Sequence, residues 1–190
     1  MFVLILNELL ETVPAYARDI KLNLPSFLSQ TELTEQQTWG TIVASAMATR
    51  NDDFILPGKM RLDIFRRKRW RRRRVAATIM GMNNIYYRFL HLSSNEKYQT
   101  IPARQRMNIP RPHGVDAVDF ELWRTAVSAI NGCGACVDSH EKTLREKGVC
   151  EESILAAVRI ASVIQWLGER PARRAGDGFS GARGVAALDR

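Results

Sequence analysis

The sequence predicts an all-α fold, and three observations carry that expectation. Apolar residues recur at helical spacing in six successive runs, with turn residues between them. No run shows the strict apolar and polar alternation of a half-buried strand. Residues that start and stop helices stand where the runs begin and end, Thr34 and Gln37 before one of them, Asn131 and Gly132 after another.

The first helix is expected from about Val3 to Lys21, interrupted near Pro14, whose fixed φ suits a first helical turn. Tyr16, Ile20 and Leu24 follow at four-residue intervals as one stripe, and Pro25 with Ser26 opens a linker. Thr34 and Gln37 form a capping box for a second helix that stops near Asn51 and Asp52, and its Ala and Ser content fits close helix contacts. From Phe54 to about Val75 no apolar period survives, and the run of like charges around Trp70 resists burial in a core.

A third helix is expected from Ala76 to about His91. Residues 93–116 hold Pro102, Pro110, Pro112 and Gly114 and form a long connection. The fourth helix starts at Asp116 or Asp119, either of which can cap it, and carries Phe120, Trp123, Val127 and Ile130 to the stop at Asn131 and Gly132. The fifth runs from Cys133 through Leu144 to Gly148, and a sixth follows Cys150 to about Ile164. From Gln165 onward Gly, Ala and Arg dominate without an apolar period, so a poorly packed tail is expected. The organisation is one helical domain over 1–164 with an atypical basic insert at 54–75, followed by a tail at 165–190.

A chain of 190 residues with 45% hydrophobic content suits a single domain with a substantial core. The opening Met1 to Leu6 is apolar but short, has no basic segment before it and runs into Asn7 and Glu8, so it reads as neither signal peptide nor membrane span. Only Cys133, Cys136 and Cys150 are present, which argues against a secreted disulfide scaffold and for the cytoplasm, where a C-x-x-C pair is catalytic or metal-binding. The net charge of +8 is concentrated: Lys59 to Arg74 alone carry +9, and the rest of the chain is close to neutral. An Arg-rich run with one Trp is able to bind phosphates, but a solvated loop is the simpler reading, and a nucleic-acid partner is not expected.

The chemistry concentrates in Glu121 to Arg145. Cys133 and Cys136 stand three apart, which puts both thiols on one helical face with Cα atoms close enough for a disulfide. Gly132 ends the preceding helix, so Cys133 begins the next one, where unpaired amides and the helix dipole favour a thiolate. His140 is four residues past Cys136 on the same face, within reach of its proton. Glu121 lies on the preceding helix; if the hairpin folds back, its carboxylate orients His140 and stabilises the imidazolium. Two other readings stay open at this point. The two thiols and His140 are three ligands of a possible zinc site, with Cys150, His91 or His113 as the fourth, and two buried thiols with no chemistry are also consistent with the pattern. Cys150 reads as structural.

These residues resemble the alkyl hydroperoxide reductase D (AhpD) family of the carboxymuconolactone decarboxylase-like superfamily. The resemblance rests on P-A-Y-A-R-D-I-K-L-N-L with Q-T-W-G-T-I-V-A-S-A-M-A-T-R-N, on A-A-T-I-M-G-M-N-N-I-Y-Y-R, and on R-M-N-I with the stretch from Phe120 to Arg145, roughly two thirds of the chain. It implies a homotrimer of helical subunits around a two-helix C-x-x-C hairpin. The Cys133–Cys136 redox disulfide would take electrons from dihydrolipoamide or a lipoylated acyltransferase and pass them to an AhpC-type peroxiredoxin, with weak direct reduction of hydroperoxides. Cys136 would attack, Cys133 would resolve, and His140 with Glu121 would move the proton, with no bound cofactor or metal. Some members carry a His between the two cysteines, where this chain has Gly134 and Ala135. A decarboxylase of the same superfamily is the alternative, though decarboxylation needs no dithiol. The segments 54–75 and 165–190 depart from the family and share an Arg, Gly and Ala bias, as an out-of-frame reading of GC-rich codons would.

Overall fold

A computed structural model describes residues 11, 13–51, 68–107 and 111–169. Among them the secondary structure is helical throughout, with no strand. A 3-10 turn, Ala15–Ala17, leads into α1 (Arg18–Ser29), and α2 (Glu35–Ala48) follows. Next come α3 (Lys68–Leu92) and the single turn α4 (Lys97–Thr100). The chain then forms α5 (Ala117–Ile130), α6 (Gly134–Glu146) and α7 (Glu151–Glu169). Helices α2 and α5 form the centre, each packed on the other and on α3 and α7, while α6 folds back on α5 and α1 lies on α7.

The caps explain where the central helices begin. Thr34 accepts from the Gln37 amide while the Gln37 side chain accepts from the Thr34 amide, the reciprocal box expected for α2. Asp116, rather than Asp119, caps α5 by accepting from the amides of Val118 and Asp119. Asp119 is instead buried and takes the Gln36 side-chain amide, tying α5 to α2. The core is continuous, with Val43, Ala44, Phe120, Leu122, Trp123, Val127, Ile160 and Leu167 among its most enclosed members. Gly40 lets the backbone of α2 approach the Trp123 ring, where any Cβ would overlap the indole.

Several expectations change. Helix α1 continues through Pro25 to Ser29 where a linker was expected. The missing Pro25 amide deprives only the Lys21 carbonyl, on a face open to solvent, while fully buried Leu24 anchors the turn. Tyr16 does not join the stripe of Ile20 and Leu24: it precedes α1 in the 3-10 turn and is 87% exposed. Helix α3 begins at Lys68, eight residues before the apolar run at Ala76. Arg is a good helix former, and a helix nucleated by packed residues extends readily beyond them. The core of the basic insert, 52–67, lies outside the described residues, as do 3–10 and 12 of the expected first helix.

At the other end α7 runs to Glu169, past the expected boundary at Ile164. Leu167 is buried, Gly168 lies against Thr49 at the end of α2, and Asn51 donates to the Gly168 carbonyl. Those contacts recruit the first residues of the supposed tail into the core, and the tail from 170 onward lies outside the described residues. No described helix is long and apolar enough to cross a membrane.

Candidate active site

The α5–α6 hairpin is built by one turn. The amide of Gly132 bonds to the Ala129 carbonyl and that of Cys133 to the Ser128 carbonyl, the paired bonds of a Schellman stop. The geometry needs a left-handed residue, and Gly132 supplies it at φ 65°. Cys133 thereby becomes the residue before the first turn of α6, its carbonyl accepting from the amides of Cys136 and Val137. Cys133 and Cys136 are joined as a disulfide across that turn, with Cα atoms 5.3 Å apart. Cys133 is wholly enclosed, whereas Cys136 forms part of a cleft wall.

Folding α6 back on α5 brings His140 to Glu121. Nδ1 of the ring lies 2.8 Å from Oε2 of the carboxylate, and the other carboxylate oxygen takes a 3.0 Å bond from Arg124. Both partners are mostly shielded, at 14% side-chain exposure each. Burial pushes the Glu121 carboxyl up, but the hydrogen bond and charge of His140, and then of Arg124, outweigh it and hold the group below its usual value. The Arg124 guanidinium also stacks on the Phe120 ring at 4.3 Å.

The far side of the His140 ring faces helix α3, with Nε2 3.3 Å from the thioether sulfur of Met80. Behind that sulfur, Ser128 and Asn84 are fully buried and bonded to each other at 2.9 Å. Asn131 donates to the Asn84 carbonyl oxygen, and Arg88 donates to the Asn131 backbone. The cleft in front has a volume of about 610 Å³. Its walls combine Cys136, His140 and Glu121 with Tyr87, Met107 and Arg111, the last bonded to the Val115 carbonyl.

Every residue of the proposed set therefore falls in one place: Glu121, Cys136 and His140 line the cleft, and Cys133 lies directly behind Cys136. Of the candidates for a fourth zinc ligand, His91 approaches the C-x-x-C turn, its Nε2 3.5 Å from where a Cβ on Gly134 would stand. Cys150 is exposed and bonded to the Ser153 hydroxyl, His113 is exposed, and among the described residues no three His, Cys, Asp or Glu side chains come together as a metal would require. Met80, Asn84, Ser128 and Arg124 were not among the expected site residues. Arg124 was within reach of sequence reasoning, since an opposite charge three residues after Glu121 on a helix pairs with it. Met80 lies 60 residues from His140, and no spacing rule connects them.

Residues 97–175 match the model of the carboxymuconolactone decarboxylase family. The alkyl hydroperoxide reductase AhpD of Acidobacterium capsulatum is 59% identical over 168 residues, covering 86% of this chain and 90% of that protein. The AhpD of Solibacter usitatus is 56% identical over 85% of this chain and 92% of its own length. That of Brucella suis is 49% identical over 84% and 92%.

Proposed function

This chain belongs to the alkyl hydroperoxide reductase AhpD family, and we propose that it is an antioxidant dithiol oxidoreductase whose Cys133–Cys136 pair carries electrons from dihydrolipoamide to an AhpC-type peroxiredoxin. The observation that carries this reading is the shared cleft, in which a redox-capable dithiol at a helix start stands beside a carboxylate-bound imidazole. Cys136, on the cleft wall, is the thiolate that attacks the partner's disulfide or a hydroperoxide. Cys133, at the α6 N-terminus, resolves the product into the intramolecular disulfide. His140 takes and returns the Cys136 proton, and Glu121 holds the ring and offsets its charge. The same thiolate accounts for weak direct reduction of hydroperoxides, through a sulfenic acid that Cys133 condenses.

The homotrimer expected of the family and a lipoylated acyltransferase as donor belong to this reading. An exposed apolar stripe along α3, Ile85, Phe89 and Leu92, beside Tyr98 and Ile101, supports subunit contact there. The test is stopped-flow turnover of a hydroperoxide with dihydrolipoamide and a peroxiredoxin, comparing the wild-type chain with Cys136→Ser. Loss of turnover in the variant is expected; equal rates would sink the mechanism.

A further inference from the structure

Along the α3 wall of the cleft stand Met80, Asn83 and Tyr87, at helical intervals of three and four. Met80, 3% exposed, meets the His140 ring with its sulfur, and Tyr87 is 38% exposed, so the row runs from the reacting end of the cleft to its mouth. Between them the Oδ1 of Asn83 is shielded from water and accepts no hydrogen bond among the described residues. We propose that Asn83 binds the electron donor: its Oδ1 accepts the amide N–H that ties the alkyl dithiol to its carrier, and the alkyl chain lies in the cleft with its thiols toward Cys136. The inference rests on the dithiol reading above and deepens it.

An unmade bond at a shielded carbonyl oxygen is costly, and such atoms are rare in folded chains. The neighbouring Asn84 shows the ordinary arrangement, its amide nitrogen donating to the Ser128 hydroxyl and its oxygen accepting from Asn131, each at 2.9 Å. Asn83 departs from it on the same helix, and does so where it lines the space a substrate enters. A carbonyl oxygen only accepts, so the ligand that completes it must donate. Torsion about the last bond of an Asn side chain is broad, and a small turn presents the oxygen to a ligand lying beside it.

The other walls select the rest of the ligand. Met80, Met107 and Phe120 give apolar surface suited to an alkyl chain. Glu121, the carboxylate of the cleft, is already held by His140 and Arg124, so it does not call for a cationic ligand. A chain with one N–H several carbons from its thiols fits that set: the dithiol reaches Cys136 while the amide stops short of it. An ester or an ionised acid in place of the amide presents only acceptors, oxygen against oxygen at Asn83. The amide takes no part in the exchange of sulfur bonds. Its contact is therefore the same before and during the reaction, and it acts on KM rather than on kcat.

The test uses two donors that differ at one position, the N-methyl amide and the methyl ester of dihydrolipoic acid. Each is given to the wild-type chain and to Asn83→Leu, which nearly keeps the volume and removes the oxygen. Steady-state oxidation is followed with a hydroperoxide and the peroxiredoxin present, and urea midpoints are taken for both chains. Wild type is expected to favour the amide by roughly tenfold in kcat/KM, the worth of one hydrogen bond, with the difference lying in KM. Asn83→Leu is expected to level the two donors at unchanged kcat, with a urea midpoint no lower than wild type because the lost oxygen leaves no partner behind. Equal kcat/KM for amide and ester in the wild type overturns the inference, whether or not the variant folds. So does a preference that survives in Asn83→Leu, a variant that is less stable and slower with both donors alike, or a rise confined to the KM of the hydroperoxide. Each of these, with Cys136→Ser inactive, leaves the dithiol reading standing. Wild-type turnover by Cys136→Ser overturns both.

Discussion

The Glu121 carboxylate and the His140 ring, 19 residues apart in the chain, meet at 2.8 Å across the α5–α6 hairpin, with Arg124 on the second carboxylate oxygen. The pair links the charge of α5 to the face of α6 that carries Cys136. Glu121→Gln keeps the shape of the side chain and removes its charge. It is expected to reduce dithiol turnover by roughly tenfold to hundredfold, because an unsupported ring is a poorer acid and base. Stopped-flow kinetics on the reduced and oxidised chains reads the effect directly.

The same carboxylate makes stability depend on pH. Its folded value lies below the ordinary 4.5, so the unfolded chain binds its proton more readily than the folded one. The stabilisation is complete above pH 4.5 and is lost as pH falls through the depressed folded value. Urea midpoints are therefore expected to decline with acidification in that window. Glu121→Gln is expected to flatten the part of the decline that this group causes, and an identical slope in both chains would contradict it.

Thiol accessibility follows from the disulfide. Of three cysteines, Cys133 and Cys136 are joined and Cys150 is exposed. A chromogenic disulfide reagent should find one thiol in the oxidised native chain, and three after reduction and unfolding. In the reduced but folded chain Cys136 is expected to react before Cys133, since it lies on the cleft wall while Cys133 has no exposed surface. Peptide mapping after brief alkylation separates the two.

Gly40→Ala tests the contact at the centre of the fold. The added methyl group would overlap the Trp123 ring, which is only 2% exposed and has no space to yield. Overpacking of this kind is expected to destabilise the chain by about 1 to 3 kcal/mol, read from the shift in urea midpoint. Gly132→Ala should act differently. Nothing stands near its Cβ position, so only the left-handed φ is penalised, by about 1 kcal/mol, with the α5–α6 turn and the register of the dithiol as the part affected.

Local chemistry was readable in advance wherever a residue acts through its neighbours in sequence. The capping box of Thr34 and Gln37, the stop at Asn131 and Gly132, and the one-turn spacing of Cys133 and Cys136 each depend on a few consecutive residues, and each stands where expected. Helix limits set by distant packing were not readable. Pro25 remains helical with its turn anchored by Leu24, and α7 reaches Glu169 with Leu167 and Gly168 held by the core and the end of α2.

By itself, then, the sequence determined the helical class, the hairpin and the identity of a dithiol beside an imidazole and a carboxylate, because periodicity, caps and short spacings are local properties of the chain. Only the tertiary structure decided that Glu121 pairs with His140 and that Met80, from a third helix, stands at the other ring nitrogen. Those two contacts depend on how α3, α5 and α6 pack together, and packing is a sum over many apolar contacts that no short motif encodes.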